Sequence, residues 1–274
     1  MKQFIIEQEP DSNGMLTLSG KAFVYLVKVR RMREGDILSA VLPQSGAADM
    51  VIDSINTAKK TLRLKRRPTP FSVCGTAAAD ATNEAANTSP AYVAPAAELI
   101  LLQWVLKGSK TDTIIRQATE AGVRAVLPVI GEFSIAKKQN PAQLERFRRI
   151  IKEARQQSGS PIDTIVMEPA PLAEMLNTLK TLVPAATTVF AQCSEAAATS
   201  VGFHQLLAEK PSHIVLAIGA EGGISPAEAA VLRDAEFQTI HFKTNVLRAE
   251  TAALYAIAAV QTTINEADLW HLPV

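Results

Sequence analysis

Cysteine is almost missing from this chain. Cys74 and Cys193 are the only two in 274 residues, and they stand far apart. That excludes a disulfide framework and fits reduced thiols in the cytoplasm. Histidine is as sparse, with four scattered residues and none inside a motif. Such a set makes no structural zinc site, and histidine-based hydrolytic triads are set aside with it. Gly-x-Ser-x-Gly, His-Glu-x-x-His and Gly-x-Gly-x-x-Gly are all missing. No apolar run is long enough to span a bilayer, and Met1–Glu7 lacks the apolar core of a secretion signal. A cytoplasmic protein is expected.

What is present reads as globular. Hydrophobic residues make up 47% and charged residues 20%, ordinary values for a chain long enough to form two domains. The net charge of +1 is unevenly spread. Residues 1–70 hold twelve Lys/Arg against seven Asp/Glu, residues 71–98 three acids and no base, and residues 99–274 sixteen bases against seventeen acids. A basic front end on a near-neutral body suits contact with an anionic polymer.

Residues 1–72 read as a small β-rich domain. Ile37–Leu42 is a strand candidate, and Met50–Ile55 and Lys60–Lys65 alternate in period two around an Asn56–Lys59 turn. Ala22–Val29 reads as a short helix with Phe23, Leu26 and Val27 or Val29 inward. Several short strands with one helix suggest a small barrel. Residues 73–97 are dominated by alanine, threonine, asparagine, serine and proline, too little apolar surface to offset chain entropy, and read as a linker or insertion. Residues 98–274 alternate strand and helix. Strands are expected over Leu99–Leu106, Val123–Ile130, Ile162–Met167, Thr187–Gln192, Ile214–Gly219 and Gln238–Phe242. Helices are expected over 111–121, 141–156, 171–182, 196–208, 226–235 and 249–264. Near-continuous apolar strands predict an α/β domain with a parallel sheet covered on both faces.

The densest signal is Gly219-Ala220-Glu221-Gly222-Gly223. An apolar strand runs into it, and Ser225-Pro226-Ala227-Glu228 follows as a capped helix start. A buried strand thus ends in a glycine turn whose N–H groups are open to a ligand, where α/β proteins hold nucleotide-like molecules. Lys107-Gly108-Ser109-Lys110 is either an anion-binding turn or a solvated one. Helix 141–156 turns Leu144, Phe147, Ile151 and Ala154 one way and Arg146, Arg148, Arg149, Lys152 and Arg155 the others, a solvated face or a phosphate grip. Asn245–Ala252 opens the last helix after a strand, and Arg248 either aims into a site or pairs with Glu250 at the surface.

In this order, the stretches resemble the ribosomal RNA small subunit methyltransferase E family. Gly219–Ser225 is similar to its GPEGG(F/L)S motif and Leu247–Ala252 to its LRTETA motif. Lys107–Lys110 with Ile115–Gly122 is similar to its KG(D/S)…I.KATELGV segment, Arg155–Gly159 to EQS(G/N)R, and Tyr25–Arg31 with Gly35-Asp36 to HL..VLR…GD. The chain departs from these patterns at Tyr25, Arg30, Gln156, Ser160, Ala220 and Ala249. The resemblance implies a PUA-like RNA-binding β-barrel over 1–72 and a SPOUT-type, trefoil-knotted methyltransferase domain over 98–274. It implies a homodimer, S-adenosylmethionine as donor, no metal, and methylation at N3 of a uridine in 16S ribosomal RNA. Gln192, Gly219, Glu221, Gly222, Gly223, Leu247, Thr251 and Ala252 would then bind the donor. Arg248 and Glu250 would be catalytic, and Arg31, Lys107, Arg149, Lys152 and Arg155 would contact RNA. Methylation of another base or of a ribose 2′-hydroxyl, and a non-catalytic rRNA-binding assembly factor, stand as alternatives.

Overall fold

The computed structural model describes residues 4–67, 96–134, 141–194 and 200–266. The chain divides into two compact units, residues 1–93 with 156–161, and residues 94–155 with 162–274. The linker expected over 73–97 lies almost wholly outside the described residues, as does the start of the helix expected over 196–208.

The first unit is a five-stranded sheet. Its strands are β1 (Phe4–Ile5), β2 (Met15–Ser19), β3 (Ile37–Leu42), β4 (Gly46–Asn56) and β5 (Thr61–Arg66), hydrogen-bonded in the order β1-β3-β4-β5-β2. β4 and β5 form the expected hairpin, with a register shift between Ile52 and Ser54. β1, two residues long, is too short to show periodicity in the sequence; the five residues of β2 alternate yet lie outside the expected strands. Leu16, Leu38, Met50, Ile52, Leu62 and Leu64 alternate inward to one core. The helix expected over Ala22–Val29 is instead a single α-turn, α1 (Gly20–Phe23), followed by a π-helical turn over Val24–Val29. Phe23 and Leu26 are buried as expected; of the two alternatives for the third inward position, Val27 packs on the core and Val29 is 65% exposed. The wider π spacing carries the last residue away from the core.

The second unit is built on β6 (Glu98–Trp104), α2 (Lys110–Glu120), β7 (Ala125–Ile130), α3 (Pro141–Ser158), β8 (Ile165–Val166), β9 (Ala170–Pro171) and α4 (Leu172–Leu182). There follow β10 (Thr188–Cys193), α5 (Phe203–Leu206), β11 (His213–Ile218), α6 (Pro226–Asp234), β12 (Gln238–Ile240) and α7 (Ala249–Asn265). The strands pair in parallel in the order β12-β10-β11-β6-β7-β8, with β9 beside β7. The sheet is apolar on both faces, with Leu101, Leu102, Leu127, Val215, Leu216 and Ala217 fully buried. The strand expected over Ile162–Met167 shrinks to the two residues of β8 at the sheet edge, between Pro161 and Pro169.

One brace fixes the loops after β6 and β7. Glu228, on the first turn of α6, completes the capping box: its Oε2 accepts from Ser225 N–H, and Glu228 N–H donates to Ser225 Oγ. Its other oxygen does more, accepting from buried Trp104 Nε1–H at 3.1 Å and from Glu132 N–H at 3.0 Å. Gly131 fits beside this group only without a side chain, because a Cβ would lie 2.1 Å from Trp104 Nε1 and 2.5 Å from Glu228 Oε1. Gly131→Ala is therefore expected to destabilise the second unit by about 1–3 kcal/mol through overpacking. A thermal melt checks this, and an unchanged midpoint contradicts it.

Candidate active site

The sheet order creates a crevice. From β6 the chain proceeds through α2 to β7 on one side. From β11, the neighbour of β6, it proceeds through α6 to β12 on the other. The loops leaving these two adjacent strands diverge at their carboxyl ends, where α/β sheets bind ligands. One loop is Lys107–Ser109, leading into α2. The other is the glycine turn.

That turn is a tight reversal in which Gly223 N–H donates to Ala220 O at 2.9 Å. A Cβ on Gly219 would meet the Gly223 carbonyl carbon at 2.5 Å, and Gly223 takes a φ of +79°. Both positions therefore require glycine. Beneath the turn, fully buried Gln103 on β6 donates through Nε2 to the carbonyls of Trp104 and Ile218, while its Oε1 has no partner among the described residues. The strand end is held from inside the sheet, and the turn stays open outside, with Glu221 and Gly222 exposed.

Charge gathers at this edge. Lys110, the first residue of α2, places Nζ 2.9 Å from Glu221 Oε1 and 3.8 Å from Glu250 Oε2. Glu250 lies on the first turn of α7, next to exposed Arg248 at its N-cap. Of the two readings of Arg248, the surface pair with Glu250 is not the one formed among the described residues, where Glu250 faces Lys110 instead. Hydrogen bonding to Glu221 raises the Lys110 pKa; burial and the Arg248 charge oppose the rise, and the charges of Glu221 and Glu250 assist it. Burial works to raise the Glu221 carboxyl. The Lys110 ammonium and the backbone N–H groups of Glu221 and Lys107 outweigh it and hold the carboxyl below its usual range. So Glu221 and Arg248, expected to share a site, both act on one ammonium.

The remaining candidates divide. Gln192, at the end of β10, is buried and donates to Thr239 Oγ1 on β12 at 3.2 Å, while Ser194 O bonds His241 Nδ1 at 3.0 Å. These contacts fasten the loops after β10 and β12 together on the same sheet edge. Burial pushes up the thiol of Cys193 between them. Leu247 and Ala252 are half-buried and Thr251 exposed around the start of α7. Lys107 is exposed in the loop after β6; Arg149 and Lys152 are exposed on α3, with Arg149 4.0 Å from Glu153. Arg155 stands apart from the other RNA candidates. Its side chain is 11% exposed and pairs with Asp163, so it fastens α3 to the loop before β8. Arg31 belongs to the first unit, exposed, with a φ of +55°. Among the described residues no cluster of His, Cys, Asp or Glu could hold a metal ion.

In the sequence Lys110 and Glu228 are each legible only within a local motif, without the distant partners the structure gives them. The second lysine of Lys-Gly-Ser-Lys was the available signal for the first, and the capping-box pattern for the second. The pKa directions set a pH window for the Lys110–Glu221 pair. Glu221, lowered, stabilises above its ordinary 4.5 and loses that contribution as pH falls through its folded value. Lys110, raised, stabilises below its ordinary 10.5 and loses that contribution as pH rises through its folded value. Glu221→Gln should therefore shallow the acid-side fall of the melting temperature; an unaltered acid limb contradicts the pairing.

The family described as RNA methyltransferase domain matches residues 94–261. The ribosomal RNA small subunit methyltransferase E of Aquifex aeolicus is 30% identical over 171 residues, covering 60% of this chain and 68% of that protein. Its Bacillus subtilis namesake is 26% identical over 283 residues, covering 98% of this chain and 100% of that protein. A solved ribosomal RNA small subunit methyltransferase E from Neisseria gonorrhoeae, bound to S-adenosyl methionine, shares the fold. Its TM-score is 0.73 at 23% identity, over 96% of this chain and 97% of that one. The domain match over most of the chain and the likeness to the Aquifex protein establish that this chain belongs to the ribosomal RNA small subunit methyltransferase E family.

Proposed function

We propose that the protein transfers a methyl group from S-adenosylmethionine to N3 of a uridine in small-subunit (16S) ribosomal RNA. The observation that carries this reading is the Lys110 ammonium, which gathers Glu221 of the glycine turn and Glu250 beside Arg248 at one sheet edge. The family and the names of the relatives support the donor and the rRNA substrate. Motif resemblance supports the N3 position, the trefoil-knotted SPOUT-type domain and the PUA-like barrel. The same resemblance supports a homodimer.

The residues suit such a donor. The three glycines of the turn at Gly219–Gly223 present backbone without side chains, and among the described residues Glu250 Oε2 is buried without a hydrogen bond. Carboxylates in that position match a positive sulfonium. Gln192, Gly219, Glu221, Gly222, Gly223, Leu247, Thr251 and Ala252 would hold the donor, which supplies an electrophilic methyl group. The chain's own groups handle the nucleobase. Uracil N3 carries a proton that must leave, and Glu250 is the acceptor nearest to hand. Lys110 Nζ lies 3.8 Å from its Oε2. Arg248 faces the charge that builds on the uracil oxygens, where a fixed cation acts as an oxyanion stabiliser. Lys107, Arg149 and Lys152, with Arg31 on the first unit, supply phosphate contacts; Arg155 is left out because Asp163 occupies it.

Arg248→Ala should lower methyl transfer to 16S rRNA about 10²–10³-fold, the range for removal of one oxyanion donor, while donor affinity measured by calorimetry changes much less. Equal activity in the variant removes Arg248 from the mechanism. RNA affinity should fall steeply between low and moderate salt, as phosphate contacts release counterions. A salt-insensitive affinity contradicts the phosphate contacts.

A further inference from the structure

The loop after β7 carries an aromatic ring with no task in the reading above. Phe133 is 44% exposed, whereas Trp104, Phe147 and Phe237 of the same unit are at most 3% exposed. A lone exposed phenylalanine needs no explanation by itself. This one has two further properties. It lies directly on the glycine turn: a Cβ on Gly222 would come within 3.2 Å of Phe133 Cβ and 3.3 Å of its Cγ. The missing side chain at Gly222 is what lets the ring rest on the backbone of the proposed donor loop.

The ring is also held still. Gly131 N–H donates to Ser134 Oγ and Ser134 N–H to Gly131 O, both at 3.1 Å, closing a turn over Gly131–Ser134. Glu132 N–H is fastened to Glu228 on α6. Gly131 is wedged against Trp104, and Ser134 is 3% exposed. Gly131, Glu132 and Ser134 on either side of the exposed ring are thus each hydrogen-bonded, which limits the freedom of Phe133 and the entropy a ligand meeting it loses.

We propose that Phe133 is a stacking platform for a base of the RNA substrate at the rim of the donor turn, a role that rests on the RNA methyltransferase reading. The chemistry favours a nucleobase. Among the described residues Phe133 is a single ring flanked in the chain by Glu132 and Ser134, whereas a protein partner calls for a broad contiguous apolar patch. Every base has a π-face, and stacking on an aromatic ring is how single-stranded nucleic acid is held without sequence readout. Placed on Gly222, the ring would hold a base flat against the loop that carries the reacting methyl. Phe133 is thus a substrate-positioning group, separate from Arg248 and Glu250.

The test compares Phe133→Ala, Phe133→Tyr and Phe133→Trp with the parent protein. Three readouts are used: binding of a fluorescein-labelled 16S rRNA fragment by anisotropy without donor, KM for 16S rRNA, and S-adenosylmethionine affinity by calorimetry. Phe133→Ala should weaken RNA binding and raise KM roughly ten- to hundredfold, with donor affinity and melting temperature unchanged. The tyrosine and tryptophan variants should stay near the parent. Parent-like RNA binding by the alanine variant overturns the platform. So does a parallel loss of donor affinity, which would assign the ring to the donor. A change in sedimentation would assign it to a second copy of the chain, with the same consequence. If the parent protein binds RNA but transfers no methyl, the methyltransferase reading fails, and with it the base-positioning role beside a methyl donor. The anisotropy comparison still separates a plain RNA contact from that failure.

Discussion

The direct pairing of β11 with β6 in the middle of a parallel sheet governs everything at the carboxyl edge. In that register Ile218 stands opposite Gln103, so both strands end at the same height and their loops leave in opposite directions. Gln103 fills the seam and turns its amide to the last carbonyls of β11. A crevice follows from topology alone. What occupies its walls is then decided by three short stretches far apart in the chain: Lys107–Lys110, Gly219–Gly223 and Arg248–Thr251.

Lys110 joins those stretches. Its ion pair with Glu221 is about as exposed as a surface pair, so it adds little to global stability. Its consequence is geometric. It sets the distance between the turn proposed to hold the donor and the helix that carries Arg248 and Glu250. Glu228 plays the matching part on the other flank. A residue recruited to cap a helix also anchors an indole and the loop of Phe133. The walls are thus tied to the sheet rather than left as free loops, as a site that must hold two reactants in one geometry requires.

Local signals were legible in the amino-acid sequence; long-range ones were not. Ser225-Pro226-Ala227-Glu228 announced its capping box because every partner lies within one turn of helix. The strands β6, β7, β10 and β11 were legible because burial on both faces leaves unbroken apolar runs. The π-helical turn at Val24–Val29 was not, since Phe23 and Leu26 satisfy an α-helical spacing equally well. β1 and β8, two residues each, carry no period at all. The basic face of α3 looked uniform, yet Asp163 takes Arg155 and Asp112 takes Arg146 from positions that no helical pattern reveals. Lys110 stood in a noticed motif. Its partners lie 111 and 140 residues further on, and only the sheet order brings them near.

The central claim is a methyl group placed on uracil N3 of small-subunit rRNA. Mass spectrometry of nucleosides from 16S rRNA of cells lacking this gene tests it most directly. The account predicts that one 3-methyluridine is lost and that the intact gene restores it. Unchanged 3-methyluridine, or the loss of a different modified nucleoside instead, would contradict it.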